Sequence, residues 1–199
     1  MSASLSSRRF TLGARALLLL TLLVGCAPLA SAAQEEALTL ERLFNSPEFF
    51  GEGFGPARWL RDGRYTTLEV SRQVRGGVDI VAYGAESGER EILIPASELV
   101  PSGSTQSLAV EGYEWSSDGS RVLIFTNTRR VWRDNTRGDY WVLDREAGTL
   151  TQMGPEFPEA TTMFAKFSPD GGRVAYVQGH NIYVQDLATA AINPLTDDG

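Results

Sequence analysis

Lys166-Phe-Ser-Pro-Asp-Gly-Gly-Arg-Val-Ala-Tyr176 has two earlier counterparts, Arg58-Trp-Leu-Arg-Asp-Gly63 and Glu114-Trp-Ser-Ser-Asp-Gly119. The Asp-Gly pairs fall at positions 62, 118 and 170, at intervals of 56 and 52 residues. An apolar, strand-like run follows each one: Tyr65 to Val70, Arg121 to Thr126, and Arg173 to Val177. Asp-Gly between two apolar runs marks a hairpin, and a type I′ turn there would place both central residues at positive φ.

A second signature keeps step with the first. Asp79-Ile-Val-Ala-Tyr83, Asp139-Tyr-Trp-Val-Leu-Asp144 and Asn181-Ile-Tyr-Val-Gln-Asp186 read as strands. Each leads through a small-residue turn (Glu86-Ser-Gly88, Glu146-Ala-Gly148, Ala188-Thr-Ala190) to a last short strand at Ile92 to Ile94, Leu150 to Gln152, and Ile192 to Thr196. Four short antiparallel strands recurring at this spacing describe a propeller blade. A single β-sandwich with regular turns competes, but two signatures repeated three times in phase favour the propeller. The fold expected is therefore all-β, an incomplete β-propeller of about three four-stranded antiparallel blades. Propellers close with about four to eight blades, so residues 34–199 are expected to be the N-terminal part of a longer, truncated propeller domain. One short helix is expected at Leu40 to Phe44, capped by Thr39 and stopped at Ser46-Pro47.

Composition narrows the function. The 199 residues are 42% apolar and 22% charged, with a net charge of −7, so a general nucleic-acid binder is excluded. One cysteine allows neither an internal disulfide nor a thiolate metal cluster. With His180 the single histidine, a Ser-His-Asp site or a histidine-rich metal site has little to draw on. No metal or organic cofactor is expected.

Residues 1–33 read as an export signal. Arg8, Arg9 and Arg15 precede the apolar run Ala16 to Val24, which as a helix would span roughly 14 Å, about half a bilayer core. Leu23-Val-Gly-Cys26 fits a bacterial lipobox, with cleavage before a lipidated Cys26; Ala30-Ser-Ala32 offers ordinary cleavage near Ala33. Either route places the protein in the periplasm or outer envelope of a bacterium, touching membrane only through a lipid anchor. Removing residues 1–25 takes away three arginines and no acid, so the remainder is more acidic.

Leu123-Ile-Phe-Thr-Asn-Thr-Arg-Arg-Val-Trp-Arg-Asp-Asn-Thr-Arg-Gly-Asp-Tyr-Trp-Val-Leu-Asp144 is the most particular stretch. Together with Leu38 to Phe44 and Met163 to Val184, it resembles the N-terminal propeller of the dipeptidyl peptidase IV family of prolyl-oligopeptidase-type serine peptidases. The resemblance implies an eight-bladed propeller packed on an α/β-hydrolase domain, and release of N-terminal dipeptides ending in Pro or Ala. Peptides with Pro or Ala second would then be the substrates, the hydrolase domain a partner, and a homodimer compatible with the complete enzyme. No Gly-x-Ser-x-Gly elbow occurs here, so no catalytic residue is assigned and this chain alone is expected to be inactive. In the family a propeller Arg, following a Trp and preceding a Tyr by seven residues, binds a substrate carbonyl. Trp132-Arg133 and Tyr140 match, making Arg133 the substrate-binding candidate. The family's Glu-Glu pair has no counterpart here; Glu35-Glu36 does not match its context. A non-catalytic propeller that binds a protein partner is the alternative.

Overall fold

A computed structural model describes residues 38–49 and 55–199. The signal segment, Cys26 and Glu35-Glu36 lie outside the described residues. The chain divides at Gly51 into two compact units. In the first, α1 (Leu40–Asn45) starts at Thr39, whose hydroxyl accepts the Arg42 N–H at 3.1 Å, and ends at an extended Ser46. Pro47 then opens a single 3-10 turn, Pro47–Phe49.

The second unit is all-β. Strands β1 (Arg58–Trp59), β2 (Arg64–Val70), β3 (Val78–Gly84) and β4 (Arg90–Ile94) form an antiparallel sheet in chain order. The second blade is β5 (Gly112–Trp115), β6 (Arg121–Val131), β7 (Asp134–Asp144) and β8 (Thr149–Gln152); the third is β9 (Thr162–Phe167), β10 (Arg173–Gln178), β11 (Asn181–Asp186) and β12 (Ile192–Pro194). Three four-stranded antiparallel blades result, as the repeats predict. They are not fully separate, because Arg137 and Gly138 of β7 pair with Met163 and Thr162 of β9, merging the second and third into one eight-stranded sheet.

The middle blade has apolar residues on both faces. Along β6, Val122 and Ile124 join Ile80, Ile94 and Leu99 from the first blade and its exit, while Leu123 packs with Val174 and Tyr176 of the third. Alternate side chains of a strand point to opposite faces, so a strand with a neighbour on each side reads as the continuous run Val122-Leu-Ile-Phe125. The aromatic repeat positions pack between blades as well: Trp115 and Trp141 against the first core, Phe167 and Tyr183 against the second. Trp115 also donates its indole N–H to Thr66 Oγ1 at 3.1 Å.

The Asp-Gly turns differ from the type I′ expectation. Gly63, Gly119 and Gly171 take positive φ; their aspartates do not. Each is a wider turn, closed by the glycine N–H on the carbonyl of Leu60, Ser116 or Ser168. The aspartate side chain drives the change. Asp118 accepts the Ser116 hydroxyl at 2.6 Å, with the Ser120 N–H at 3.0 Å and its hydroxyl at 2.8 Å, locking the turn from within. Asp170 accepts the Ser168 hydroxyl and the Gly172 N–H in the same way. The type I′ signature of two positive φ values appears instead at Gly179-His180, between β10 and β11.

These hydrogen bonds hold Asp118 and Asp170 below the usual carboxylate value of 3.8, the serine hydroxyl first and the backbone N–H second. Asp144 and Asp186 are lowered chiefly by backbone N–H groups in the β7–β8 and β11–β12 turns. A carboxylate with a depressed folded-state pKa stabilises the fold above its unfolded pKa and loses that contribution as pH falls further. The melting temperature is therefore expected to be nearly level from pH 5 to 7 and to fall below about pH 4. Asp118→Asn should soften that acid decline; a decline as steep as wild type would remove this turn as a source.

A polar residue of each blade's third strand, near the start of β3 and β11 and where the arm joins the blade in β7, latches the chain leaving that blade. Asp79 Oδ1 accepts the Ala96 N–H at 2.7 Å, Asp139 Oδ1 the Ala160 N–H at 2.7 Å, and Asn181 Oδ1 the Gly199 N–H at 3.0 Å. The β3–β4 and β7–β8 turns each carry a glycine at positive φ, Gly88 and Gly148; the β11–β12 turn carries Ala190 at φ 59°. An alanine there is strained, and the unfolded chain's extra freedom with glycine offsets part of the relief. Ala190→Gly is expected to stabilise by about 0.5 kcal/mol in urea denaturation.

Candidate functional site

All Asp-Gly turns sit at one end of the blades; Ser117 Oγ of the second donates to Pro169 O of the third at 2.6 Å. The β2–β3, β6–β7 and β10–β11 connections therefore lie at the opposite end. There the β6–β7 hairpin projects as an arm. Regular pairing ends at Thr126↔Asp139 and resumes, after register shifts, at Arg129↔Arg137, Arg130↔Asn135 and Val131↔Asp134. Asn127, at φ 47°, absorbs the first shift and donates to Asp139 Oδ2 at 2.7 Å. Asn135 braces the arm through Thr128 Oγ1 at 2.8 Å.

The arm ends in the two-residue turn Trp132-Arg133. Trp132 takes φ 65° and is 89% exposed. The Arg133 guanidinium lies 5.7 Å from the centre of that indole, and Arg130 Nε donates to the Trp132 carbonyl at 3.2 Å. Both arginines line an open concavity of about 610 Å³ with Glu111, Phe125, Asp134 and Asn135. Two guanidinium groups facing a hollow can bind carbonyl or carboxylate oxygens through forked donors.

Tyr140, the other member of the sequence pattern, does not join Arg133. Seven residues of strand separate them, about 20 Å along the chain. Tyr140 is buried and stacks on Phe125 at 4.7 Å. Its part is to hold up Phe125, a wall of the concavity. Burial raises its hydroxyl pKa, so it stays protonated. Nothing in the sequence reading singled out Arg130, Glu111 or Phe164. Phe164 takes φ 56° and is 59% exposed, a rare conformation for a bulky residue; no local sequence signal announces it.

Other chemistry is sparse. Ser116 and Ser168 spend their hydroxyls inside the Asp-Gly turns, and His180 occupies the β10–β11 turn. Among the described residues no serine hydroxyl bonds a histidine, and no cluster of three or more His, Cys, Asp or Glu could hold a metal. Among them, too, no helix is long and apolar enough to cross a membrane.

Repeated four-stranded antiparallel blades packed face to face define a β-propeller portion. Comparison with known proteins adds the following. Residues 116–199, from the end of β5 through the third blade, match the family model of the dipeptidyl peptidase IV N-terminal region. A probable dipeptidyl-aminopeptidase B of Arthroderma otae is 34% identical over 84 residues, 42% of this chain and 9% of that protein. Dipeptidyl aminopeptidase B of Saccharomyces cerevisiae is 28% identical over 145 residues, 71% of this chain and 17% of that protein. The crystal structure of Porphyromonas gingivalis dipeptidyl peptidase 4 superposes with a TM-score of 0.67 at 25% identity, covering 83% of this chain and 22% of that one. The chain thus spans between 9% and 22% of these proteins' lengths.

Proposed function

We propose that these blades work within a secreted dipeptidyl peptidase IV-like serine peptidase, admitting peptides to a hydrolase domain and holding them in register through Arg133. The observation that carries this reading is the place of Arg133. It sits exposed in the turn of a braced arm, stacked on its own Trp132, and opens onto a concavity. A guanidinium stays charged at all physiological pH and offers a rigid fork of donors. Stacking limits the orientations it must give up on binding a backbone carbonyl. The Trp132 ring offers an apolar face to the neighbouring side chain of an extended peptide. Peptides with Pro or Ala second are the substrates this reading assigns.

The nucleophile and its base belong to the hydrolase domain, so the 199-residue chain alone should not turn over an Ala-Pro reporter. Within the complete enzyme, Arg133→Ala is expected to lower kcat/KM for that reporter about 10- to 100-fold without changing the melting temperature. Arg133→Lys should restore only part of it, because an ammonium cannot reproduce the fork. An unchanged kcat/KM in Arg133→Ala would remove Arg133 from substrate binding. Export by residues 1–33 to the periplasm or outer envelope, with acylation of Cys26, belongs to the same reading. Labelled palmitate incorporation should disappear in Cys26→Ala; persistence would end the lipid-anchor assignment.

A further inference from the structure

Charge is distributed unevenly between the two ends of the blades. At the Asp-Gly end several cations are paired: Arg64 with Asp62 and Glu91, Arg121 with Asp144, and Lys166 with Glu114. The opposite end carries Arg72 and Arg75 on the β2–β3 connection and Arg129, Arg130, Arg133 and Arg137 on the arm, all exposed. Among the described residues none of these six forms an ion pair with a carboxylate. Arg129 and Arg137 are direct cross-strand partners, an arrangement of like charges that destabilises a hairpin. A chain of net charge −7 thus concentrates unpaired positive charge around the concavity where Arg130 and Arg133 face Glu111 and Asp134.

We infer that this end selects peptides bearing carboxylate side chains. Arg133 takes the backbone carbonyl and Arg130 takes an acidic side chain further along the peptide. Arg129 and Arg137, whose mutual repulsion a bound carboxylate relieves, supply the surrounding field. The inference rests on the peptide-binding reading of Arg133 and names the substrate class for that site. A compact carboxylate accepts two donors from a guanidinium at once, whereas an amide of the same shape gains only a neutral hydrogen bond. The preference is electrostatic and reaches about 10 Å at 0.1 M salt, so salt should erode it.

The test titrates the 199-residue chain with two amidated hexapeptides, each with Pro second. One carries Glu and the other Gln at its last three positions. Binding is read from the emission of exposed Trp132, with Trp132→Phe as the control. The acidic peptide is expected to bind about tenfold more tightly in 20 mM salt, and within about twofold at 300 mM. Arg130→Gln should abolish the preference while leaving the Gln peptide's affinity unchanged; Arg133→Ala should weaken both. Equal affinities at low salt, with Arg133→Ala still weakening both, would overturn the acidic preference and leave Arg133's role standing. If Arg133→Ala weakens neither peptide, the peptide-binding reading fails as well. Tighter binding of an oligothymidylate or of anionic phospholipid vesicles than of the acidic peptide would reassign the surface and overturn the proposal.

Discussion

Asp79→Ala is expected to lower the unfolding free energy by about 2–3 kcal/mol in urea denaturation. Asp79 is 5% exposed, and its carboxylate takes the N–H of Ala96, itself fully buried. Alanine would leave that donor without water or partner, and the cost of a buried unmet donor exceeds the net gain from an ordinary hydrogen bond. The damage should spread beyond the bond. Ala96 opens the turn Ala96–Leu99, and Leu99 is part of the core joining the first blade to the second. Asp79→Asn keeps a carbonyl acceptor and should cost about half as much or less. A loss below about 0.5 kcal/mol in the alanine variant would mean that the latch does not hold the blades together.

Gly138→Ala should be comparably severe, about 3 kcal/mol. A Cβ there would come within 2.4 Å of the Phe125 ring and 2.7 Å of the Thr126 carbonyl. The ring is held in its stack on Tyr140 and the carbonyl is backbone, so neither can move cheaply. Gly138 also pairs with Thr162, whose hydroxyl donates to the Gly138 carbonyl at 2.6 Å. The substitution strikes where the arm leaves the blade and where two blades join. Faster tryptic cleavage after Arg129 to Arg137 should accompany the lost stability. Wild-type stability in Gly138→Ala would show that the close approach is relieved elsewhere.

Strand order was readable because buried blades leave a period-two pattern and because Asp-Gly marks the first turn of each. Which turn forms was not, because the aspartate and serine side chains compete for the backbone N–H groups and pull aspartate away from positive φ. The arm was also hidden. Asn127 to Gly138 is polar and arginine-rich, with no apolar alternation, and becomes a hairpin through its own cross-strand pairing and two bracing asparagines. Arg133 became a candidate through the family resemblance of its Trp-Arg context, whereas the residues beside it in the concavity carried no such signal. Glu111 precedes β5 and Phe125 stands mid-strand, so only pairing of β5 with β6 brings them beside the arm. Tyr140, which marks the pattern in sequence, lies buried behind Phe125 and supports the wall of the concavity from within.

The most direct test of the account is a crystal structure of the complete enzyme with a bound peptide carrying Pro second. The Arg133 guanidinium should lie about 3 Å from a backbone carbonyl of the peptide, with Trp132 alongside and Phe125 behind. A peptide bound away from the arm, with Arg133 left in solvent, would contradict the assignment of these blades to substrate binding.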